Sequence, residues 1–500
     1  MAPRQVGGMQ EAFLQLRWKS MKGVEQTVAA VEKMGGRVLH AYPPSLMVVS
    51  VPANKTEKLV GKAGIVAATT ERFEGAARAA GDEVLTMAME AWNAHFSDER
   101  RERALASPTL DRGWDAGGPL LPPDPPPDVM EQLRQRERAA MPAAERAAAV
   151  AGAPIMSIPV LVGRVAVGVV FVDSTVAAFQ ISDTEKSKIV TEVSEGLNML
   201  SGFEPRANIQ WFYDFKRPKI TLPASAFTNA NKNSWEDLWR NAAMQAMGYA
   251  ASYDGMVAYA NNIKASNAAG WGYAIFVTKY PKDWFGYEWG NHVVMDFTVD
   301  NWGIDNFNLV VAHETGHVFG CPDEYGSSGC NCTQLGGRYQ IANGNCQPCA
   351  TNFVPCLMCS NSQAVCDYTR GHLGWNELAV QSRGTTTLKG TWTFDFDTGV
   401  QGSSTGSDIW WEQVNDVTRY LVPQGGAMLS NLGKVNFDAV SLQTLQTRPY
   451  TMTPINGSNN ASNQLTAGTV VAIKTGAGRY AKMKINSYGY NLGMTWVTYK

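Results

Sequence analysis

The sequence has little of what marks a nucleic-acid-binding or membrane protein. Its 500 residues carry 43 Lys and Arg against 45 Asp and Glu, a formal net charge of −2, so it lacks the basic excess that nucleic acid or anionic lipid requires. The longest apolar stretch, 155–172, contains Arg164 and is interrupted by glycine and proline, which predicts two buried strands rather than a membrane span. Residues 1–22 lack the apolar core and cleavage site of a secretory signal. We therefore expect no nucleic-acid partner, no membrane span and no visible export signal.

Histidine and cysteine are scarce and unevenly placed. Only six histidines occur, and two of them, His313 and His317, fall in one five-residue window. All eight cysteines follow closely: Cys321, Cys330, Cys332, Cys346, Cys349, Cys356, Cys359 and Cys366. Their even number and clustering predict a disulfide-stapled segment and a secreted or extracytoplasmic location, in conflict with the missing signal. A second zinc site is the alternative, because Cys330/Cys332 and Cys346/Cys349 have chelate-like spacing.

The length predicts several domains. Strands and helices in the first part follow the order β-α-β-β-α-β of a ferredoxin-like α+β module, with helices at 24–34 and 56–63. A helical and proline-rich linker follows, with a spacer at 119–128. An α/β region then leads to the histidines, and the last part has the short, turn-bounded strands of an all-β domain, a sandwich or a trefoil. The predicted boundaries are 1–78, 79–153, 154–380 and 385–500.

The all-β region contains one candidate site of its own. Trp410-Trp411 together with Asp395 and Asp397 could bind a carbohydrate or a calcium ion, or contact a surface. Core tryptophans and turn aspartates are the competing interpretation, which we favour.

The sequence His313-Glu314-Thr315-Gly316-His317 lies in a predicted helix over 306–320. Residues four apart share one helix face, so both imidazoles can reach a single metal ion about 2 Å away. Glu314 lies beside His313 and can accept a proton from water at the metal. The apolar residues 309–312 indicate that this helix is buried.

The residues after the helix supply a third metal ligand. Gly320 can end the helix in a left-handed conformation and Pro322 prevents its continuation, so the chain can turn and bring Asp323 to the ion. Three protein ligands and one open position are typical of a catalytic zinc. Glu324, or His372 in a different architecture, could replace Asp323.

The pattern HExxHxxGxxD resembles the metzincin zinc proteases, and within them the snapalysins, which use Asp as the third ligand. The resemblance covers roughly residues 155–378. The matching residues are 313–318, Gly320, Pro322, Asp323, Tyr325 and Cys356-Leu357-Met358. It implies a metzincin-like catalytic domain, one zinc ion, peptide hydrolysis with Glu314 as the base, and Met358 in the methionine turn below the metal. It also implies a disulfide between Cys356 and Cys366.

The metzincin resemblance further implies an edge strand that binds the substrate backbone by strand addition. The matching candidate is His292, Val293, Val294 and Met295, in the strand that ends at Asp296. A long cysteine-rich insertion between Tyr325 and Met358 departs from the small family members and leaves the substrate preference open. Tyr325 or Tyr368 could hydrogen-bond the developing oxyanion. A calcium requirement is also left open.

The module at 1–78 resembles the inhibitor-like prosegments that precede subtilisin-type proteases. The resemblance rests on strand order and on the stretches 35–38 and 51–52, and it implies a zymogen processed at the proline-rich linker. A permanent partner-binding module is the alternative. Because no cysteine precedes residue 321, latency cannot use a prosegment thiol on the metal.

The sequence therefore predicts a zinc-dependent endopeptidase acting on proteins or peptides. A non-catalytic, zinc-stabilised binding or adhesion protein is the alternative, although a structural zinc site would not need Glu314.

Overall fold

A computed structural model of the chain describes residues 8–73, 83–94, 96, 114, 157–282, 286–297, 304–402, 405–438 and 440–500. The chain divides into two compact units, residues 1–366 and 367–500. The predicted proline-rich spacer at 119–128 and the helix expected after it lie outside the described residues.

The first unit begins with a small α+β module. Its elements are β1 (Met9–Leu16), α1 (Met21–Lys33), β2 (Arg37–Tyr42), β3 (Leu46–Pro52) and β4 (Ile65–Thr69). β3 lies between β1 and β2 and is antiparallel to both, which is the predicted split βαβ arrangement. The helix predicted at 56–63 is wrong, because the segment forms only the short 3-10 turns Ala53–Lys55 and Glu57–Leu59. Gly61 and Gly64, at φ +83° and +78°, prevent a longer helix.

The sheet of this module continues into the α/β region. The further elements of the first unit are α2 (Glu83–Ala94), β5 (Arg164–Ser174), α3 (Asp183–Gly202), β6 (Gln210–Lys216), β7 (Lys219–Ile220), α4 (Trp235–Ala246), α5 (Tyr253–Ser266), β8 (Trp271–Thr278), β9 (Gly286–Trp289), β10 (His292–Asp296), α6 (Phe307–Val318), β11 (Leu335–Gly336) and β12 (Ile341–Ala342). One sheet runs in the order β4-β1-β3-β2-β6-β5-β8-β10-β9, with β7 paired to β5. A single strand, β5, replaces the two strands predicted at 155–172.

The junction between the module and the α/β region is a parallel pairing of β2 with β6, in which His40 lies opposite Trp211. Side chains reinforce this pairing on both faces of the sheet. His40 Nδ1 lies 2.9 Å from the hydroxyl of Tyr213, and Phe212 belongs to the hydrophobic core of the module. An ion pair joins Glu25 to Arg164. The module therefore covers the edge of β6 that would otherwise be unpaired.

Helices cover both faces of the sheet, and α6 lies on one face near the end formed by β8, β10 and β9. On one face, Trp239 of α4 and Tyr259 of α5 pack with Phe276 of β8 in one hydrophobic core. On the other face, the hydroxyl of Tyr273 on β8 lies 3.0 Å from Thr315 Oγ1 on α6. The strands β5 and β8 are buried on both faces, as their nearly continuous apolar sequences predict.

The second unit consists mainly of antiparallel strands, as predicted. After α7 (Asp367–His372) it contains β13 (Val380–Leu388), β14 (Thr393–Asp395), β15 (Val400–Gln401), β16 (Ile409–Gln413), β17 (Arg419–Pro423), β18 (Met428–Gly433), α8 (Leu442–Gln446), β19 (Ile455–Asn456), β20 (Val470–Lys474), β21 (Tyr480–Ser487) and β22 (Leu492–Tyr499). Two five-stranded sheets, β13-β22-β21-β20-β18 and β15-β14-β16-β17-β19, share one hydrophobic core that includes Trp411 and Trp496. The unit is therefore a two-sheet sandwich.

Candidate metal centre

The helix α6 carries His313, Glu314 and His317 and is buried along almost its whole length. It ends where the sequence predicts. Gly320 adopts a left-handed conformation at φ +81°, and the amide of Cys321 donates to the carbonyl of Gly316 over 3.1 Å. A Cβ at position 320 would lie 3.0 Å from the backbone of Gly337, so this turn also needs glycine for space.

Two backbone carbonyls fix the orientation of the imidazoles. His313 Nδ1 lies 2.9 Å from the carbonyl oxygen of Leu357, and His317 Nδ1 lies 2.7 Å from that of Cys321. Because a carbonyl only accepts, each Nδ1 must carry the ring proton and donate it. In the neutral rings both Nε2 atoms therefore present lone pairs, which is the arrangement that metal-binding histidines require.

The two Nε2 atoms converge with Asp323. They lie 3.0 Å from each other, and Asp323 Oδ1 lies 3.2 Å from His313 Nε2 and 3.1 Å from His317 Nε2. Asp323 Oδ1 is buried, and among the described residues it has no hydrogen-bond donor apart from these two imidazoles. Ligand atoms at about 2.0 Å from a tetrahedral ion are roughly 3.3 Å apart, close to these distances. Three buried lone pairs at this spacing repel one another unless a cation lies between them, so the residues fit a metal ion.

The electrostatics of the metal-free site lead to the same conclusion. Burial alone would lower the pKa of His317, but the charge and hydrogen bond of Asp323 outweigh it and raise this pKa to about 10. Burial acts to raise the pKa of Asp323, but the charge of His317 outweighs it and the net pKa is lowered. Without a metal, His317 is therefore protonated and Asp323 is ionised at neutral pH. The positive charge of this proton takes the place that a metal cation would occupy.

Glu314 lies beside this cluster and is not part of the three-residue ligand group. Its side chain is buried, and burial raises the pKa of its carboxyl group, while the charges of His313 and His317 act to lower it. A Cβ placed at Gly286 of β9 would lie 3.4 Å from Glu314 Oε1. The carboxylate therefore lies between the ligand helix and the end of the sheet.

Met358, the residue that the metzincin resemblance assigns to the methionine turn, lies against α6. Its side chain is fully buried, and a Cβ at Gly316 would lie only 2.8 Å from its Sδ. The carbonyl of Met358 accepts from the amide of Glu324 over 2.9 Å. Met358 thus connects the helix with the loop that carries Asp323.

Trp114 was not among the predicted site residues, and no signal in the sequence identifies it. Its indole ring is buried 5.1 Å from the ring of His313. Its Nε1 donates over 2.8 Å to the carbonyl of Leu357, the same oxygen that accepts from His313. Trp114 therefore supports the hydrogen bond that orients His313.

The competing ligand Glu324 has other partners. Glu324 is fully buried, but its carboxylate accepts from Asn345 Nδ2 over 2.7 Å and from the thiol of Cys366 over 3.0 Å. His372 and Tyr368 lie on α7 of the second unit. The ring of Tyr325 is 6.5 Å from that of His313, so its role in oxyanion binding stays a prediction.

Only half of the cysteines form disulfides. Cys330 pairs with Cys346 and Cys332 pairs with Cys349, which favours disulfides over a second metal site at these four residues and indicates an oxidising environment. The other four are buried and form no disulfide: Cys321, Cys356, Cys359 and Cys366. The expected pair of Cys356 and Cys366 is not formed, because the Cys366 thiol donates to Glu324 while Cys356 Sγ accepts from the Cys366 amide over 3.2 Å.

The edge strand also differs from the prediction. The strand His292, Val293, Val294 and Met295 is internal, paired in parallel with β8 and antiparallel with β9. Its four buried residues reflect this central position. The edge is β9, where the sheet order ends. Gly290-Asn291 between the two strands is a two-residue hairpin signal that would have identified β9.

The acidic residues of the sandwich form a second cluster. Carboxylate oxygens of Asp395, Asp397 and Asp408 lie within 4.8 Å of one another. Asp395 accepts from the amides of its own turn, and Arg479 pairs with Asp397 at 3.2 Å. Trp411 is fully buried in the core, which agrees with the core interpretation of this residue.

Comparison with known protein families finds no matching family model, and comparison with curated proteins finds no matching sequence. Among the described residues, none of the helices combines the length and the apolar character needed to cross a membrane.

Proposed function

We propose that the protein is a zinc-dependent endopeptidase. The observation that supports this most directly is the convergence of His313 Nε2, His317 Nε2 and Asp323 Oδ1 within 3.0–3.2 Å, next to the buried carboxylate of Glu314. A structural metal site needs no such carboxylate, whereas hydrolysis needs a base close to the metal.

Zinc is the metal that this donor set favours. Two imidazole nitrogens and one carboxylate oxygen at tetrahedral spacing suit Zn²⁺, whereas calcium and magnesium prefer all-oxygen sites with more ligands. Three protein ligands leave a fourth tetrahedral position for water or substrate, as in catalytic sites. A zinc ion held by His313, His317 and Asp323 would supply Lewis acidity, which would polarise a peptide carbonyl and make water acidic enough to ionise near neutral pH.

The residues of the chain perform the remaining steps. Glu314 would accept a proton from the attacking water and deliver it to the leaving nitrogen, so that one group acts first as base and then as acid. The carbonyls of Leu357 and Cys321 hold the imidazoles in one tautomer. Among the described residues β9 pairs with a strand on one side only, and an extended peptide would bind its other side by strand addition.

The test is the Glu314→Ala variant, assayed with casein and with metal analysis. Zinc content should be that of the wild type, because Glu314 is outside the ligand group. Hydrolysis should fall by at least about a hundredfold, the usual effect of losing a general base. Glu57→Gln changes an exposed carboxylate of the N-terminal module and serves as the matched control.

Two outcomes would contradict the proposal. A Glu314→Ala variant that binds zinc and cleaves casein at the wild-type rate would exclude the mechanism. A zinc-loaded wild-type protein that hydrolyses neither casein nor a broad peptide set would favour the non-catalytic binding protein.

A further inference from the structure

The turn that carries Asp323 is held from two sides. Both polar groups of the peptide unit between Asp323 and Glu324 are bound. Its carbonyl accepts from Asn343 Nδ2 over 2.7 Å, and its N–H donates to the carbonyl of Met358 over 2.9 Å. Because a peptide unit is planar and rigid, these two bonds together place the Cα of Asp323, from which the carboxylate extends toward the imidazoles.

Asn343 itself has little freedom to move. Its side chain is fully buried, and its amide faces Asp323 through Nδ2, since a carbonyl only accepts. Its backbone N–H donates to the carbonyl of Gln334 over 2.8 Å, and its backbone carbonyl accepts from the amide of Cys346 over 3.1 Å. Asn343 is therefore fixed to the cysteine-rich insertion at its backbone and to the Asp323 turn at its side chain.

Disulfides hold the part of the insertion that carries Asn343. The strands of this part, β11 and β12, are only two residues long each. The disulfides Cys330–Cys346 and Cys332–Cys349 both close loops that contain position 343. A disulfide restricts the conformations open to the loop that it closes, so these two bonds take over the role that longer strands would have.

The insertion also contacts the turn on either side of Asp323. Before it, the amide of Gly337 donates to the carbonyl of Gly320 over 2.8 Å. After it, the amide of Gln347 donates to the carbonyl of Glu324 over 2.8 Å, and Gln347 Oε1 accepts from the amide of Gly326 over 3.0 Å. The insertion thus follows the whole turn from the helix end to the residues beyond the third ligand.

We propose that Asn343 is a positioning residue of the metal centre, through which the disulfide-linked insertion holds Asp323 in the place of the third ligand. This inference rests on the zinc site of the proposed function and deepens it, because it gives the insertion a role in metal affinity. His313 and His317 are oriented separately, by the carbonyls of Leu357 and Cys321. Asn343 therefore acts on the metal through Asp323.

The test measures the zinc dissociation constant of metal-free protein by competition with a chelator of known affinity. Asn343→Ala should weaken zinc binding by about tenfold, a size typical of losing a group that supports a metal ligand. Asn267→Ala is the matched control, because Asn267 is also buried and its Nδ2 also donates to a backbone carbonyl, that of Ile263, over 2.9 Å. This control should keep zinc affinity within about twofold of the wild type, because its hydrogen bond lies at the end of α5.

A double-variant comparison separates positioning of the ligand from a general loosening of the fold. In an Asp323→Ala background the residue that Asn343 positions has lost its carboxylate. Asn343→Ala should then change zinc affinity by less than about twofold. Asn343→Ser, whose side chain is too short to reach the carbonyl, should give the same loss as Asn343→Ala and replaces it in both backgrounds if the alanine variant does not fold.

Each failure has its own signature. Wild-type zinc affinity in the folded Asn343 variant, or a loss of about tenfold that persists in the Asp323→Ala background, would overturn the inference and leave the proposed peptidase function intact. A wild type that binds no zinc would overturn both.

Discussion

The contact between Gly316 and Met358 gives the sharpest test of the packing below the metal centre. Glycine inside an exposed helix costs about 0.5–1 kcal/mol relative to alanine, so Gly316→Ala alone would stabilise the helix by that amount. The new Cβ would, however, lie 2.8 Å from Met358 Sδ and 3.4 Å from its Cε. Met358 is fully buried, so its side chain has little room to move.

Overpacking of a buried site costs about 1–3 kcal/mol. We therefore expect Gly316→Ala to lower the free energy of unfolding by about 1 kcal/mol. In a Met358→Ala background, the side chain that the new Cβ would meet is absent. Gly316→Ala should then raise the free energy of unfolding by about 1 kcal/mol. The coupling energy between the two positions is then about 2 kcal/mol.

The assay is urea unfolding of the first unit in chelator-treated protein, so that metal binding does not add to stability. Gly202, the last residue of α3, is the matched control, because a Cβ there meets nothing within 4 Å. Gly202→Ala should be neutral or stabilising whatever residue occupies position 358. If Gly316→Ala stabilises both backgrounds equally, Met358 does not pack against the ligand helix and the argument is wrong.

Two further predictions concern other parts of the chain. Burial lowers the pKa of Lys482, whose Nζ donates to the carbonyls of Phe437 and Val440, from 10.5 to about 8. Between pH 8 and 10.5 the unfolded state therefore binds more protons, and the free energy of unfolding of the wild type should rise by about 3 kcal/mol relative to Lys482→Met. A difference between the two proteins that does not change with pH would contradict this. Second, after cleavage at a protease site inserted at 119–128, the N-terminal fragment should still co-elute with the rest in gel filtration, because β2 pairs with β6 and Phe212 lies in the core of the module. If the N-terminal fragment instead eluted separately at micromolar concentration, the result would support a removable prosegment.

The residues of the candidate metal site were predictable because their sequence signals are local. The spacing of His313 and His317 and the helix stop at Gly320 each depend on a few neighbouring residues. The strands of the α/β region were also predictable, because their apolar runs are long enough to identify from the sequence. The region's buried character followed from these runs as well.

The features that were missed depend on distant contacts. The pairing of β2 with β6 joins segments about 170 positions apart, and no local pattern specifies which strands become neighbours. The short strand β9 owes its structure to its pairing with β10. Trp114 reaches His313 from a segment that precedes α6 by roughly 200 residues. Cysteine pairing likewise depends on which sulfurs the fold brings together.

Metal analysis of the purified protein tests the central claim most directly. The wild type should contain one zinc ion at the site, Asp323→Ala should bind it at least about tenfold more weakly, and His372→Ala should bind it as the wild type does. Loss of zinc in His372→Ala with normal binding in Asp323→Ala would contradict the three-ligand site formed by His313, His317 and Asp323.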